Sequence, residues 1–335
     1  MKPGKLPPEL LAKLLADLPH ADPRVVVGPS VGEDAAAIEF GDRLLVAKTD
    51  PITFATDLIG WYAVNVNAND IACMGAEPRW FLGSLLLPTT ASEADAAAVF
   101  SQIGEACEHL GITPVGGHTE ITLGLDRPVL LGCMLGETSR EELLPKSGAR
   151  PGDVLFLSGG IAIEGTALLA REVGEELLRR GLSESTVARA RQLLLDPGIS
   201  VVPAARRARE IGGVTAMHDP TEGGLATGLA ELALAAGAGL EVEVEVVPVL
   251  PETREICAAL GLDPLGLIAS GALLIAVRAE RADAFQAGWE ARGELPLSRI
   301  GRLLPTGEGS WLLEGGARRP LPAFARDELA RFLEP

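Results

Sequence analysis

The sequence predicts an α/β (α+β) protein of two domains, covering residues 1–147 and 148–335. Three observations support this prediction. The chain has 335 residues, 47% of them hydrophobic, which is enough for two buried cores. Strand-like and helix-like segments alternate along both halves. The polar, Gly- and Pro-rich stretch LPKSGARPGD interrupts that alternation, as a domain boundary does.

The first half alternates strands with helices. Helices are predicted by apolar periodicity from Asp57 to Met74 and after Ser92, which we expect to cap its helix. Pro51 is expected to end the strand that contains Asp50. Strands are predicted by short apolar runs at 24–27, 35–40, 43–49, 80–88, 112–122 and 128–136.

The second half repeats this alternation. DVLFLSGG and VTAMHD are predicted strands, and LEVEVEVVPV alternates strictly enough for a half-buried strand. PTEGG opens a helix that Asp219 or Thr221 is expected to cap, and such an N-terminus favours phosphate. Local sequence equally favours an ordinary capped helix there. The remaining predicted helices lie at 163–175, 184–195 and 200–212.

Composition excludes several classes of protein. The net charge is −17, and a nucleic-acid-binding protein would usually show a basic face. There is no run of eighteen apolar residues, so we expect no membrane span, and the N-terminus lacks the apolar core of a signal peptide. The four cysteines are widely spaced without a CxxC, which is typical of reduced thiols. A cytoplasmic location is expected.

The stretch WYAVNVNANDIACMGAEP holds every asparagine of the chain: Asn65, Asn67 and Asn69, beside Asp70. Asn65 and Asn69 are four residues apart, so they share a helix face. Asparagine is a mediocre helix former, because its side chain competes for backbone hydrogen bonds. The alternatives are exposed polar positions or a polar helix face directed into a site, and we favour the second.

Three further polar clusters lie in the same half. GEDA contains Glu33 and Asp34, AKTDP contains Lys48, Thr49 and Asp50, and GGHTE contains His118, Thr119 and Glu120 after Gly116 and Gly117. Each cluster alone is typical of a turn or a cap. Together, their carboxylates suit Mg²⁺, which takes few protein ligands and shares phosphate oxygens. The Walker pattern is absent, so a P-loop enzyme is excluded.

The motifs VGEDAAAI, TDP, NANDIACMGAEP, GGHTE, SGARPGD and DPTEGGL resemble, in this order, those of the aminoimidazole ribonucleotide (AIR) synthase-related superfamily. The resemblance covers nearly the whole chain. The superfamily includes AIR synthase, thiamine-monophosphate kinase, selenophosphate synthetase and the hydrogenase maturation factor HypE. The C-terminal half is most similar to HypE.

The resemblance implies a fold and a ligand. The N-terminal domains would pair in a homodimer whose strands form a β-barrel, and the C-terminal domain would be an α/β sandwich. ATP and Mg²⁺ would bind in a cleft, with the N-terminal tail, including Lys5, folded over the nucleotide. The implied metal ligands are Asp34, Asp50, Asp70 and Glu120. The implied nucleotide contacts are Lys5, Lys48, Thr49, Asn67, Asn69, Gly116, Gly117, Thr119, Asp219 and Thr221.

Two departures from the superfamily pattern affect the implied chemistry. Many relatives carry Asp or Glu where this chain has His118. Neutral imidazole is a poor Mg²⁺ ligand, so His118 would contact phosphate or transfer a proton, or Glu120 would replace the acid. HypE acts on its own C-terminal cysteine, whereas this chain ends ELARFLEP and its last cysteine is Cys257. The intramolecular HypE reaction is therefore not expected here.

The resulting hypothesis is a Mg²⁺- and ATP-dependent enzyme, similar to HypE, that activates an amide-type oxygen or phosphorylates a small acceptor. His118 and Asp50 are the expected catalytic residues. One alternative is a nucleotide-binding maturation partner without its own turnover. Another is a kinase like thiamine-monophosphate kinase. The sequence does not name the acceptor, and it does not distinguish amide activation from kinase chemistry.

Overall fold

The structure is a computed structural model that describes residues 6, 8–16, 18, 22–30 and 33–333. The chain divides into two compact units. The N-terminal unit contains Asp34–Leu143 and the described residues 22–29. The C-terminal unit contains the chain from Leu144 onward, together with Glu33 and the helix α1 (Pro8–Ala16). No helix in these described ranges combines the length and apolarity of a membrane span.

The N-terminal unit is a six-stranded sheet covered on one face by two helices. The strand order is β1-β2-β3-β6-β4-β5, with all pairs antiparallel except β4 and β5. The helices are α2 (Ile59–Cys73) and α3 (Glu93–Leu110). The strands are β1 (Val25–Val27), β2 (Ala36–Phe40), β3 (Arg43–Ile52), β4 (Glu77–Pro88), β5 (Thr113–Thr122) and β6 (Val129–Thr138).

Local sequence determines both ends of α3. The Ser92 side chain accepts a hydrogen bond from the Asp95 N–H, and the Asp95 carboxylate accepts one from the Ser92 N–H. This capping box satisfies two N–H groups at the start of the helix and confirms Ser92 as its cap. The helix ends at Gly111, whose φ of 70° lies in the left-handed region that glycine adopts without strain.

Two details of the strands differ from expectation. β3 continues through Pro51 to Ile52, paired with β6. β2 pairs with β3 only as far as Ala47, so beyond that residue one edge of β3 has no partner strand and tolerates a residue without an N–H. The GGHTE motif, which alone is typical of a turn or a cap, lies inside β5, the strand predicted at 112–122, because β5 pairs with β4 throughout its length.

The helix-free face of this sheet, called here the outer face, is apolar. Cross-strand pairs on this face include Ala47 with Leu135, and Cys133 with Leu82. Its side chains are half-buried, and Leu131 is 37% exposed. The solvated face of an antiparallel sheet is usually polar, so this composition favours a covered face. β1 and β5 are the edges of the described sheet, which within one chain is open and does not close into a barrel.

The C-terminal unit is a seven-stranded sheet with helices on both faces. The strand order is β13-β12-β9-β11-β7-β10-β8, and only β9 and β12 pair in parallel. The strands are β7 (Val154–Ser158), β8 (Val214–His218), β9 (Gly239–Glu243), β10 (Leu273–Val277), β11 (Leu297–Leu304), β12 (Ser310–Glu314) and β13 (Ala317–Pro320). The helices are α4 (Ile163–Glu172), α5 (Gly174–Arg179), α6 (Glu184–Gln192), α7 (Val202–Ile211), α8 (Gly224–Ala235), α9 (Pro251–Leu260), α10 (Ala282–Glu290) and α11 (Glu328–Leu333).

The two faces of this sheet hold separate apolar layers. Leu155 and Leu157 of β7 pack with Leu229 of α8 in one buried cluster. On the other face, the ring of Phe156 lies 5.3 Å from that of Phe285 in α10. Alternate residues of β7 thus point to opposite layers, and all five are buried, which explains why four of the five residues of VLFLS are apolar.

Two expectations for this unit are wrong. The strand predicted by LEVEVEVVPV ends at Glu243, and Val244–Val246 form a 3₁₀ turn. The Glu245 carboxylate accepts a hydrogen bond from the Gly315 N–H after the strand has ended. Helix α8 has no side-chain cap from Asp219 or Thr221, because it starts at Gly223 in the left-handed conformation with a φ of 80°.

Packing between α2 and α3 depends on Gly60. A Cβ at this position would lie 2.6 Å from the Val99 carbonyl oxygen and 2.8 Å from the Gln102 Cβ. We expect Gly60→Ala to lower the free energy of unfolding by about 1–3 kcal/mol through overpacking. In chemical denaturation, Gly104→Ala is the control, since a Cβ there meets nothing within 4 Å and should stabilise α3 by up to about 1 kcal/mol. Equal effects of the two substitutions would contradict this packing.

Candidate functional site

Helix α2 is buried along almost its whole length, including its polar residues. Asn65 is 1% exposed, Asn67 and Asn69 are 0% exposed, and Asp70 is 5% exposed. The surface alternative for the asparagine-rich stretch is therefore excluded. Buried amides and carboxylates require partners, so these side chains have defined positions.

Asn67 fixes the backbone of β3. Its Oδ1 accepts a hydrogen bond from the Asp50 N–H at 2.8 Å, and its Nδ2 donates to the Asp50 carbonyl at 3.3 Å and the Ala63 carbonyl at 2.8 Å. A side-chain amide thereby bonds β3 where it has no neighbouring strand. The amide also explains why position 132 on β6 is a glycine, because a Cβ there would lie 2.4 Å from Asn67 Nδ2. Asn67 thus holds Asp50 in place.

The other asparagines occupy different positions along the helix. Asn65 Nδ2 donates to the Trp61 carbonyl at 2.8 Å, which is a local bond within α2. Asn69 lies one turn further along, directly before Asp70. The amide of Asn67, expected to contact nucleotide, is thus engaged by the fold.

Lys48 lies between two of the predicted metal-binding carboxylates. Its Nζ is 3.1 Å from Asp70 Oδ2 and 3.2 Å from Asp50 Oδ2. Lys48 and Asp50 point to the same face of β3 because they are two residues apart in a strand, and Asp70 reaches them from α2. The structure brings Lys48, Asp50 and Asp70 together, and we call them, with Asp34, the carboxylate centre.

Charge–charge attraction dominates the electrostatics of this centre. Burial alone would lower the pKa of Lys48, but the carboxylates of Asp70, Asp50 and Asp34 raise it above its usual value. Asp34 therefore acts on the same ammonium group as the other two. Thr49 points to the opposite face of β3, and its hydroxyl donates to the Gly132 carbonyl at 2.7 Å.

His118 and Glu120 lie elsewhere in the same unit. Their β-sheet pairing with Ser84 and Leu86 places them on the outer face, opposite the carboxylate centre. His118 is also three strands away from β3, a separation of about 14 Å at usual strand spacing. Within one chain, the structure does not bring His118 or Glu120 to the carboxylate centre.

The polar residues of β5 form their own exposed row. His118 Nε2 lies 3.1 Å from Glu120 Oε2, and the Thr122 hydroxyl donates to Glu120 Oε1 at 2.8 Å. The Thr122 hydroxyl and the His118 ring lower the pKa of Glu120. Gly117 permits close strand pairing, because a Cβ there would lie 2.0 Å from the Gly83 carbonyl oxygen. Thr119 points to the helix-bearing face, and a Cβ on Gly116 would meet nothing within 4 Å.

The C-terminal unit contains a second group of buried acids. Asp219 follows β8 and is 1% exposed. Asp327 accepts hydrogen bonds from the N–H of Gly223 at 2.6 Å and of Leu329 at 2.8 Å. The N-terminus of α8, expected to attract phosphate, is therefore occupied by a carboxylate of the chain itself. Thr221 lies in the loop that leads into this helix.

Burial keeps two of these acids protonated to unusually high pH. Burial raises the pKa of Glu164, on the first turn of α4, to about 7, with smaller contributions from Asp327 and Asp219. Burial also raises the pKa of Asp327 to about 6. Sequence reasoning missed Glu164 and Asp327, because a buried acid cannot be distinguished from a surface acid by local sequence.

A buried histidine and lysine were also missed. His218 Nε2 lies 2.9 Å from Glu231 Oε2 and 3.4 Å from Lys146 Nζ. His218 is 3% and Lys146 1% exposed. Lys146 belongs to LPKSGARPGD, which the sequence analysis treated as a polar boundary. Lys5, another expected nucleotide contact, lies outside the described residues.

The comparisons with known proteins identify the family. The family described as "AIR synthase related protein, N-terminal domain" matches residues 32–138, and its C-terminal domain matches residues 150–312. The chain belongs to the AIR synthase-related family. It is 32% identical to the carbamoyl dehydratase HypE of Cupriavidus necator over 279 residues, covering 81% of this chain and 75% of that protein.

Solved structures share the two-domain α/β fold. Escherichia coli HypE superposes with a TM-score of 0.74 at 26% identity, covering 97% of this chain and 98% of that one. HypE in complex with ATP has a TM-score of 0.69 at 25% identity, covering 96% and 91%. The thiamine monophosphate kinase of Aquifex aeolicus, complexed with AMPPCP and TMP, has a TM-score of 0.71 at 24% identity, covering 93% of each chain, and shows the fold alone.

The protonated Glu164 predicts a pH dependence of stability. Its folded pKa is raised, so the folded state holds a proton that the unfolded state releases between pH 4.5 and about 7. Stability is therefore lost as pH rises through that window. The unfolding free energy of Glu164→Gln, measured relative to wild type at the same pH, should therefore increase by on the order of 3 kcal/mol as the pH rises from 4 to 8.

Chemical denaturation across this pH range measures the gain. Glu176→Gln is the matched control, because Arg180 lowers the pKa of Glu176 and the relative stability of that variant should change in the opposite direction. A difference between wild type and Glu164→Gln that stays constant with pH would contradict a proton held on Glu164.

Proposed function

We propose that this protein is a Mg²⁺- and ATP-dependent enzyme of HypE type that activates an amide-type oxygen or phosphorylates a small acceptor. The carboxylate centre carries this proposal. Three carboxylates act on one ammonium group within a rigid helix-on-sheet scaffold. Such a concentration of acids beside a buried, asparagine-rich helix is typical of a centre that handles cations. That HypE is named a carbamoyl dehydratase and has been solved with ATP supports the assignment.

The donors of this centre fit Mg²⁺. Asp34, Asp50 and Asp70 offer hard carboxylate oxygens, and two of them, Asp50 and Asp70, already contact the positive charge of Lys48. Bound Mg²⁺ would neutralise the phosphate oxygens of ATP and stabilise charge that develops during transfer. Clustered carboxylates without a cation repel each other, so this centre requires one.

The side chains around the centre have distinct tasks in this proposal. Asn67 holds Asp50 through its backbone, which keeps one carboxylate at a fixed distance from Asp70. Asn69 would donate its amide N–H to phosphate, and Lys48 would add a positive charge there. Thr49, Gly116, Gly117, Thr119, Asp219, Thr221 and Lys5 remain proposed nucleotide contacts on the resemblance alone.

Positioning and charge neutralisation account for the chemistry. The acceptor oxygen forms a bond to the γ-phosphorus, and the bond from that phosphorus to the β–γ bridging oxygen breaks, releasing ADP. Such a transfer needs in-line geometry more than a protein nucleophile. On an amide-type acceptor, the new phosphate ester is a leaving group that removes the former amide oxygen. His118 and Asp50 are the proposed proton-transfer and metal-positioning residues.

The apolar outer face of the N-terminal sheet supports a homodimer as part of the proposal. Leu131 of β6 is 37% exposed on this face, and β5 forms an open edge of the described sheet. An apolar face and an open edge favour pairing with another sheet. A second copy laid on the outer face would produce the barrel implied by the family resemblance and would cover the row of His118 and Glu120.

Metal-dependent nucleotide binding tests the proposed function. Calorimetry should show ATP binding to the wild type with Mg²⁺, and at least about tenfold weaker binding by Asp70→Asn, which loses one carboxylate of the centre. Asp42→Asn, in the hairpin turn between β2 and β3, removes the same charge elsewhere and should bind like wild type. If the wild type binds no ATP in the presence of Mg²⁺, the proposal is wrong.

Turnover then separates the enzyme from its alternatives. ADP formation should be measured with carboxamides, thioamides and thiamine monophosphate as acceptors. ADP formation with an amide supports the proposed enzyme, and ADP formation with thiamine monophosphate supports the kinase alternative. Tight ATP binding without ADP formation from any acceptor supports a nucleotide-binding partner protein.

The proposed dimer makes a separate prediction. Leu131→Lys places a charge on the apolar outer face, where Leu131 is 37% exposed, and should shift the protein from dimer to monomer in light scattering after size-exclusion chromatography. Phe100→Lys is the matched control, because Phe100 is 57% exposed on α3, which lies on the opposite side of the sheet. A wild type that is monomeric at micromolar concentration would refute the dimer.

A further inference from the structure

The carboxylate centre already contains a cation that belongs to the chain. Lys48 Nζ contacts one oxygen of each of two acids, Asp50 and Asp70, at 3.2 and 3.1 Å. The Lys48 side chain is only 19% exposed and the Asp70 side chain 7%. An ion pair so poorly solvated is weakly screened by water, so its charges interact strongly.

Apart from the acids of the carboxylate centre, Lys48 lies beside apolar side chains of the sheet. It points to the helix-bearing face, where its neighbours across the sheet are Met134 and Phe81, both buried. An ammonium among apolar side chains is stable only when carboxylates surround it. Lys48 therefore depends on the centre, and the centre depends on Lys48.

We propose that Lys48 is a resident counter-ion that occupies the cation position between Asp50 and Asp70 and keeps free divalent ions out until nucleotide arrives. Lys48 contacts Oδ2 of both Asp50 and Asp70, so its ammonium lies between the two carboxylates that would share a divalent ion. The ammonium also reduces the formal charge of the three acids from −3 to −2, which weakens the attraction for Mg²⁺.

The role of nucleotide in this proposal rests on the proposed function. The phosphates of incoming ATP offer Lys48 another anionic partner, so its ammonium can move from the carboxylates to the phosphates as the metal binds. Divalent ion and nucleotide would then bind cooperatively, each favouring the other, because both displace the same ion pair.

Binding of Mn²⁺ alone tests the resident counter-ion without nucleotide. Electron paramagnetic resonance of free Mn²⁺, or calorimetry, should show at least about tenfold tighter Mn²⁺ binding by Lys48→Met than by wild type, because three acids lose their cation. Lys48→Arg keeps the charge and should bind Mn²⁺ like wild type. Arg43→Met removes a cation from the same strand, where it pairs with Glu137 at 3.3 Å, and should also bind like wild type.

A second arm tests the cooperativity. Adding a non-hydrolysable ATP analogue should tighten Mn²⁺ binding at least about tenfold in wild type and much less in Lys48→Met. If Mn²⁺ alone binds equally to wild type and Lys48→Met, the proposal is overturned, whatever the nucleotide does. If Mn²⁺ alone binds tighter to Lys48→Met but no analogue binds to any variant, Lys48 keeps its role and the proposed ATP function fails.

The folding of Lys48→Met provides a further readout. Removing the ammonium leaves the carboxylates of Asp50 and Asp70 without their shared cation, so the variant should melt at lower temperature than wild type without divalent ions and recover on addition of Mn²⁺. Lys48→Gln gives the same test with a polar side chain. If Mn²⁺ does not raise the melting temperature of either variant, the counter-ion role is contradicted, because a divalent ion should take the position of the removed ammonium and restore stability.

Discussion

The bidentate contact between the Asn67 amide and the backbone of Asp50 is the constraint on which the N-terminal unit depends. β3 has no neighbouring strand beyond Ala47 on its β2 side, and the amide supplies the hydrogen bonds that such a strand would provide. Because Asn67 is 0% exposed, α2 cannot shift along the sheet without breaking these bonds. The position of Asp50 relative to Asp70 follows from this single helix-to-strand connection.

The same connection determines which face of the sheet carries which chemistry. The carboxylate centre lies on the helix-bearing face, where burial concentrates its charges around Lys48. His118 and Glu120 lie on the outer face, which is apolar over most of its area. The polar motifs of this half therefore belong to two separate surfaces within one chain. A second copy is the simplest way to cover the apolar surface.

Local sequence predicted the parts of this structure that depend on local interactions. The Ser92 cap, the periodicity of polar and apolar residues and the unusual concentration of asparagines could all be recognised in the sequence, because caps and periodicity are properties of neighbouring residues. The hydrogen-bond partners of individual side chains could not be predicted from the sequence. Asn67 forms a hydrogen bond with a residue 17 positions away, and Asp327 with a residue 104 positions away. No pattern within one helix or loop predicts such contacts. The acids Glu164 and Asp327 were missed for the same reason, since only tertiary burial distinguishes them from surface acids.

The most direct test of the carboxylate centre is a crystal structure of the protein with Mn²⁺ and a non-hydrolysable ATP analogue, with Mn²⁺ located by anomalous scattering. The account predicts anomalous peaks within coordination distance of the carboxylates of Asp34, Asp50 or Asp70, with the Lys48 ammonium turned from these acids to the phosphates. Asn67 should retain its bonds to Asp50 in that complex. Mn²⁺ and analogue bound away from these acids, with Lys48 still between Asp50 and Asp70, would contradict the account.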